Sequence, residues 1–203
     1  MTVIVLDPRW PELIPMGALS RLESPVTCTG EVPVSVRWSI AELPTREGLT
    51  GWGTLLTTNP HDPEVARRKE RGETVFEVAS RHDKVLQAVE TMRTSRDRGA
   101  WEIGQTHRSL LPYLKEETEE FAAAVRSGVN DRMLMRELGD VLLQVFFHAE
   151  IASRRGAFDF YDVAESFTNK MRSRAPYLFD GSTGIVGEAE QDRLWQEGKK
   201  RDG

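Results

Sequence analysis

The chain has 203 residues, a net charge of −5 and a single cysteine, Cys28. That length suits one domain or a domain with a smaller companion, and the acidic balance argues against a nucleic-acid binder, whose field is normally basic. One thiol excludes an intrachain disulfide and fits a reducing compartment.

The opening MTVIVLDPRW lacks the basic start and long apolar run of a secretion signal. No stretch approaches the roughly 18 apolar residues of a membrane span. A cytoplasmic protein with no membrane or nucleic-acid partner is expected.

Residues 1–78 hold eight of the ten prolines. Val3–Leu6, Val32–Trp38, Gly53–Thr58 and Glu73–Val78 read as short strands, being β-branched runs between turn residues. A short helix is expected between the last two. Asp62 suits its N-cap, Pro63 its first position and Gly72 its exit. The segment is therefore expected to be a small α/β module, and it carries neither G-x-G-x-x-G nor G-x-x-x-x-G-K-[ST].

Residues 79–203 read as helices. The first spans about 81–98, with Val85, Leu86, Val89 and Met92 at helical spacing. The second spans about 106–126 and stops at Ser127-Gly128. The third spans about 131–154. Asp159 and Asp162 form the pattern of a capping box, opening a fourth helix to about Arg174, ahead of Pro176. A fifth covers about 188–200. Short connections imply antiparallel neighbours, so the expected fold is mainly α, a helical bundle with a small N-terminal α/β module.

Two acidic pairs stand out. The third helix contains ELGDVLLQVFFHAEIA, apolar nearly all round and so expected to be buried on most sides. Yet Glu137 and Asp140 lie three apart on one of its faces. Buried carboxylates must pair, neutralise or bind a cation. Glu117 and Glu120, also three apart, precede them by enough chain to end one helix, turn at Gly128 and start back. An antiparallel hairpin would bring E-x-x-E to face E-x-x-D. An isolated E-x-x-E is ordinarily a solvated face, and an acidic helix start can simply answer the dipole. Taken together, the two pairs form an all-oxygen donor set, which favours Mg²⁺ or Mn²⁺ over zinc. Mg²⁺ keeps open positions for substrate phosphates, so phosphate-ester chemistry is expected.

Residues about 85–200 resemble the MazG family of nucleoside triphosphate pyrophosphohydrolases, within the all-α NTP pyrophosphatase superfamily. The family's E-E-x-x-E and E-x-x-D match Glu116-Glu117-x-x-Glu120 and Glu137-x-x-Asp140. AWEIGQTHRSLLPYLKEE is similar to its C-P-W-D-x-x-Q-T-H-x-S-L-x-x-Y-L-x-E-E, matching at Trp101, Gln105, Thr106, His107, Ser109, Leu110, Tyr113 and Leu114. Gly99 and Ala100 replace Cys-Pro, and Glu102 replaces Asp. In KMRSRAPYLF, Ser173, Ala175 and Tyr177 stand where the family often has arginine and histidines, whereas Lys170 and Arg174 match its basic positions. LWQEGKK resembles its W-x-x-x-K ending, giving Trp195 and Lys199.

The resemblance implies Mg²⁺-dependent hydrolysis of NTPs or dNTPs to monophosphate and pyrophosphate, clearing unwanted nucleotides, by a homodimer or larger homo-oligomer. It makes Glu117, Glu120, Glu137 and Asp140 metal ligands and Glu116 a candidate to orient or deprotonate the attacking water. Lys170, Arg174, Lys199 and His107 become candidate phosphate contacts, and Trp195 a candidate base contact. A surface glutamate, a solvated helix end, a packing tryptophan and a capping histidine are the alternatives for these residues, and His148 reads as a satisfied core histidine. Rival functions are a narrow, dUTPase-like pyrophosphatase and a non-catalytic helical interaction module. No transferase activity is expected of residues 1–78.

Overall fold

The computed structural model describes residues 2–42, 45–47 and 53–202, without the side chains of 46 and 47. It divides into two compact units, Met1–Gln87 and Ala88–Gly203.

In the first unit the order is β1 (Thr2–Val5), α1 (Met16–Leu19), β2 (Glu23–Ser24), β3 (Val26–Cys28), α2 (Val34–Ala41), β4 (Arg46–Glu47), β5 (Thr54–Thr57), α3 (Pro63–Glu70) and β6 (Thr74–Glu77). Four strands form a parallel sheet in the order β3-β5-β1-β6, and β2 pairs with β4 separately. Central β1 is buried on both faces, hence its unbroken apolar run. Ile4, Leu6, Leu56 and Val78 pack with Ala18, Val36 and Ile40 in one core. Val3, Val5 and Leu55 pack with Val65 in another. The sheet thus carries α1 and α2 on one face and α3 on the other.

At the carboxyl ends of β3 and β5, Glu31 accepts hydrogen bonds from the Thr29 and Thr57 hydroxyls and from the backbone N–H of Thr58. Burial pushes its carboxyl up, but those bonds outweigh it and hold the pKa at about 2. Gly53, with φ of +57°, lies where a Cβ would stand 1.8 Å from the Pro25 carbonyl oxygen, so only glycine fits. Asp62 caps α3 by accepting from Glu64 N–H, with Pro63 in the first turn, as expected.

One expected strand is instead a helix. Val32–Trp38 contributes most of α2, with Pro33 at its N-cap. The segment V-P-V-S-V-R-W alternates, but Val32, Val36 and Ile40 also recur every four residues, and these are the buried ones. Val34 and Trp38, on the opposite side, are 62% and 72% exposed. Period 3.6 outweighs period 2 here because Ile40 extends the buried row.

The second unit is helical: α4 (Lys84–Arg98, straddling the division), α5 (Ala100–Ile103), α6 (Leu111–Ser127), α7 (Asp131–Ser153), α8 (Phe160–Arg174) and α9 (Glu188–Asp202). Asp83 caps α4 through the Leu86 N–H. The second expected helix starts later than expected. Thr106 and Ser109 exchange side-chain and backbone hydrogen bonds in a turn, and Pro112 then sits in the first turn of α6. Gly128 ends α6 in the left-handed region at φ +64°, and Asn130 caps α7 through Met133 N–H. The Asp159/Asp162 capping box on α8 is present. Met92, Leu110, Phe146, Phe147 and Ile151 form the core. No helix among the described residues is long and apolar enough to cross a membrane.

The expectation that α7 is buried on most sides holds only for its second half. Phe146, Phe147, Ala149, Ile151 and Ala152 are buried, whereas Leu138 and Leu142 are 50% and 44% exposed. One chain supplies α4, α6 and α8 as neighbours of α7, and these leave the first half of its apolar surface uncovered.

Candidate active site

α6 and α7 pack against one another across a three-residue connection, which makes them antiparallel. Their facing layers then advance in opposite senses. Glu117 lies against Asp140 and, two turns on, Leu110 against Phe147, a register that sets Glu120 opposite Glu137 and Tyr113 opposite Gln144. Leu110 and Phe147 share the core, and the Trp101 ring stands edge-on to Tyr113 at 5.5 Å and to Phe147 at 5.9 Å. The loop that carries Trp101 is tied down by Gln105, which donates to the Trp101 carbonyl, and by buried Arg96, which donates to the carbonyls of Ile103 and Gln105.

The electrostatics of the two acidic layers follow. Glu117 is half-buried, and its carboxyl is pushed up first by burial, then by Asp140, Glu120, Glu116 and Glu137. Both helices therefore crowd negative charge around one carboxyl. Among the described residues no Lys or Arg forms an ion pair with Glu117, Glu120, Glu137 or Asp140. Glu119 points elsewhere, into an exposed pair with Lys115 at 3.8 Å. An open concavity of about 680 Å³ runs along α6, lined by Lys115, Glu116, Glu119, Glu120 and Arg126 among others.

An all-carboxylate set without a counter-cation fits a hard divalent ion chemically. In this arrangement of side chains no three His, Cys, Asp or Glu groups among the described residues converge closely enough to hold an ion.

None of the remaining candidates is hydrogen-bonded or ion-paired to that cluster among the described residues. Lys170 and Lys199 are exposed on α8 and α9. Arg174 is engaged with Asp202 at 2.9 Å and lies over the Trp195 ring, 5.4 Å from its centroid. The crossing is held close by buried Gly198, where a Cβ would meet the Ser173 carbonyl oxygen and Arg174 Cγ at 2.7 Å.

His107 does not cap α6, whose first turn has no side-chain cap. It stacks on His148 with the two Nδ1 atoms 2.7 Å apart, and its Nε2 meets Arg155 at 2.9 Å. His148 is only half satisfied, because its buried Nε2 has no partner. Burial, then His107, push its pKa down. Gln144 was not a sequence-level candidate, although it is the one polar residue within LLQVFF and falls one turn after Asp140.

Antiparallel helices with opposed acidic pairs define a helical, carboxylate-lined hairpin. Residues 105–179 match the MazG nucleotide pyrophosphohydrolase domain, and residues 1–76 match the MazG N-terminal domain. The chain belongs to the MazG family, and the N-terminal segment that the resemblance left out is a MazG module as well. A nucleoside triphosphate pyrophosphohydrolase of Mycobacterium tuberculosis is 37% identical over 98% of this chain and 62% of its own length. One from Mycolicibacterium smegmatis is 38% identical over the whole of this chain and 63% of its own length. The chain thus spans under two thirds of those relatives. A crystal structure of a mazG-related protein from Thermotoga maritima superposes with a TM-score of 0.50 at 27% identity, over 56% of this chain and 97% of that one.

Proposed function

We propose that the chain hydrolyses nucleoside triphosphates, ribo- or deoxyribo-, to the monophosphate and pyrophosphate with Mg²⁺, or Mn²⁺ in its place. The single observation that carries this reading is Glu117, half-buried and surrounded by Asp140, Glu120, Glu116 and Glu137 with no cation paired to the ligand set. Such a cluster is costly until a divalent ion offsets the repulsion. Relatives named nucleoside triphosphate pyrophosphohydrolase support the substrate class.

Glu117, Glu120, Glu137 and Asp140 would hold the ion, which polarises phosphoryl oxygens and acidifies water when bound. Glu116, exposed beside the cluster, accepts the proton of the water that attacks the α-phosphorus. The bond from that phosphorus to the bridging oxygen breaks, and pyrophosphate leaves.

The site also needs cations for the triphosphate, and Arg174 is tied to Asp202 within its own chain. The exposed Leu138, Leu142 and Phe167 favour a homodimer or larger homo-oligomer that covers them. Lys170, Lys199 and Trp195 would then reach a neighbour's carboxylates. A cytoplasmic location, where nucleotides are found, suits this role.

The experiment is phosphate-product analysis over a panel of NTPs and dNTPs, with Mg²⁺ and then with chelator. Monophosphate and pyrophosphate that vanish with chelator are expected. Diphosphate and orthophosphate would overturn the reading, and activity on one base alone would restrict it to a narrow enzyme.

A further inference from the structure

Two orphaned atoms stand one turn apart on α7. Gln144 is 3% exposed, and its Oε1 is buried without a hydrogen-bond partner. His148 Nε2 is likewise buried and unpartnered. Residues four apart on a helix are neighbours. Asp140 lies four residues before Gln144, so Asp140, Gln144 and His148 form one row along α7.

The protonation of that row is fixed from its far end. Arginine only donates, so the contact of 2.9 Å between Arg155 and His107 makes Nε2 of His107 an acceptor. A neutral His107 then carries its proton on Nδ1. That proton lies in the 2.7 Å contact with Nδ1 of His148, which must accept. His148 therefore carries its proton on Nε2, the orphaned atom. An unpartnered donor on His148 thus belongs to the residue one turn from the unpartnered acceptor of Gln144, and a rotamer change or one bridging water would join them. Asp140, one turn earlier, is the acceptor within reach of the amide N–H groups once Oε1 is turned to His148. An ionised carboxylate accepts only, so each of these links, once made, runs toward Asp140.

We propose that Gln144 is a positioning residue. A directed hydrogen-bond relay, Arg155 to His107 to His148 to Gln144 to Asp140, holds the Asp140 carboxylate oriented for the divalent ion. The relay rests on the reading of Asp140 as a ligand. Groups that orient ligands from behind in this way commonly change metal affinity 10- to 100-fold.

The test uses the full chain without nucleotide, following free Mn²⁺ by electron paramagnetic resonance. The unsubstituted protein should bind Mn²⁺, and Gln144→Met, which keeps the volume but removes the amide, should bind it about tenfold more weakly while melting within a few degrees of the parent. Nitrogen-15 NMR of the histidine rings should place the proton on Nε2 in His148 and on Nδ1 in His107. Arg155→Met, at the exposed end, should abolish that fixed tautomer pair and weaken Mn²⁺ binding by at most about twofold. Equal Mn²⁺ affinity in parent and Gln144→Met would overturn the relay and leave the ligand reading intact. A protein that binds no Mn²⁺ would overturn both. If Gln144→Met does not fold, the tautomers decide, and a proton on Nδ1 of His148 refutes the relay.

Discussion

Gly198→Ala sets two effects of opposite sign against each other at the α8–α9 crossing. Alanine is the better helix former by about 1 kcal/mol, so at an exposed position of α9 the change would stabilise. Gly198 is buried, however, and the added Cβ would stand 2.7 Å from the Ser173 carbonyl oxygen, 2.7 Å from Arg174 Cγ and 2.8 Å from Arg174 Cα. Ordinary contact begins near 3.4 Å, so the helices must part by about 0.7 Å, the difference of the two distances. Two of the three obstructing atoms are backbone and cannot rotate away. Overpacking of this kind costs about 1–3 kcal/mol, which outweighs the gain in propensity. The net loss is near 1 kcal/mol, or about 4 °C in melting temperature for a unit of this size. The shift also stretches the Arg174–Asp202 pair and the Ser173–Asp202 hydrogen bond, which span the same crossing. Thermal denaturation followed by circular dichroism measures the effect. A melting temperature raised by several degrees would show that propensity decides and that the two helices are not in close contact at Gly198.

In nucleotide hydrolysis, Glu120→Gln should abolish activity, whereas Glu119→Gln, whose carboxylate is exposed and paired only with Lys115, should keep most of it. The reverse order refutes the assignment of ligands on α6. Glu31→Gln should destabilise the first unit at neutral pH. The full shift of its carboxyl would be worth about 3 kcal/mol, which solvent exposure discounts to about 1 kcal/mol. Because that pKa is depressed, the contribution is present above the ordinary value of 4.5 and is lost as pH falls toward 2. Denaturant titrations at pH 7 and pH 2.5 should therefore show the gap between parent and variant closing; a constant gap would mean that Glu31 acts through packing alone. Mixing inactive Glu137→Gln with inactive Lys170→Ala protein should restore activity if sites are shared between chains. Full activity at a light-scattering mass of one chain excludes sharing.

The helical unit was legible in the sequence because its signals are local. Asp159 with Asp162, Gly128 after Ser127 and the apolar rows of α7 each act within a few residues. Periodicity also placed Glu117 and Asp140 on facing helices, since a short connection leaves few alternatives. The first unit was harder, because Val32–Trp38 satisfies both periods and only Ile40, beyond the run, decides between them. The short β3 carries too few residues for any pattern. Incomplete cover of α7 by one chain is to be expected of so apolar a helix, but not its place, which is Leu138 and Leu142 and not Phe146 or Phe147, because an apolar sequence states what prefers burial and not what is available to bury it. Gln144 is hidden for a related reason, as one amide in an apolar run carries no signal apart from its burial and missing partner in the fold.

The position of β1 has a consequence for how the chain is made. Thr2–Val5 is synthesised well before the strands it pairs with among the described residues, Thr54–Thr57 and Thr74–Glu77. At translation rates of about 5–20 residues per second, this apolar strand waits roughly 4–15 s for its second partner. Closing such distant pairs is entropically slow, whereas α6 and α7 meet their neighbours within a short span of chain. The strand therefore leaves the ribosome long before its second partner, and until residue 77 emerges it is an unprotected strand edge on which a chaperone or a second nascent chain can act.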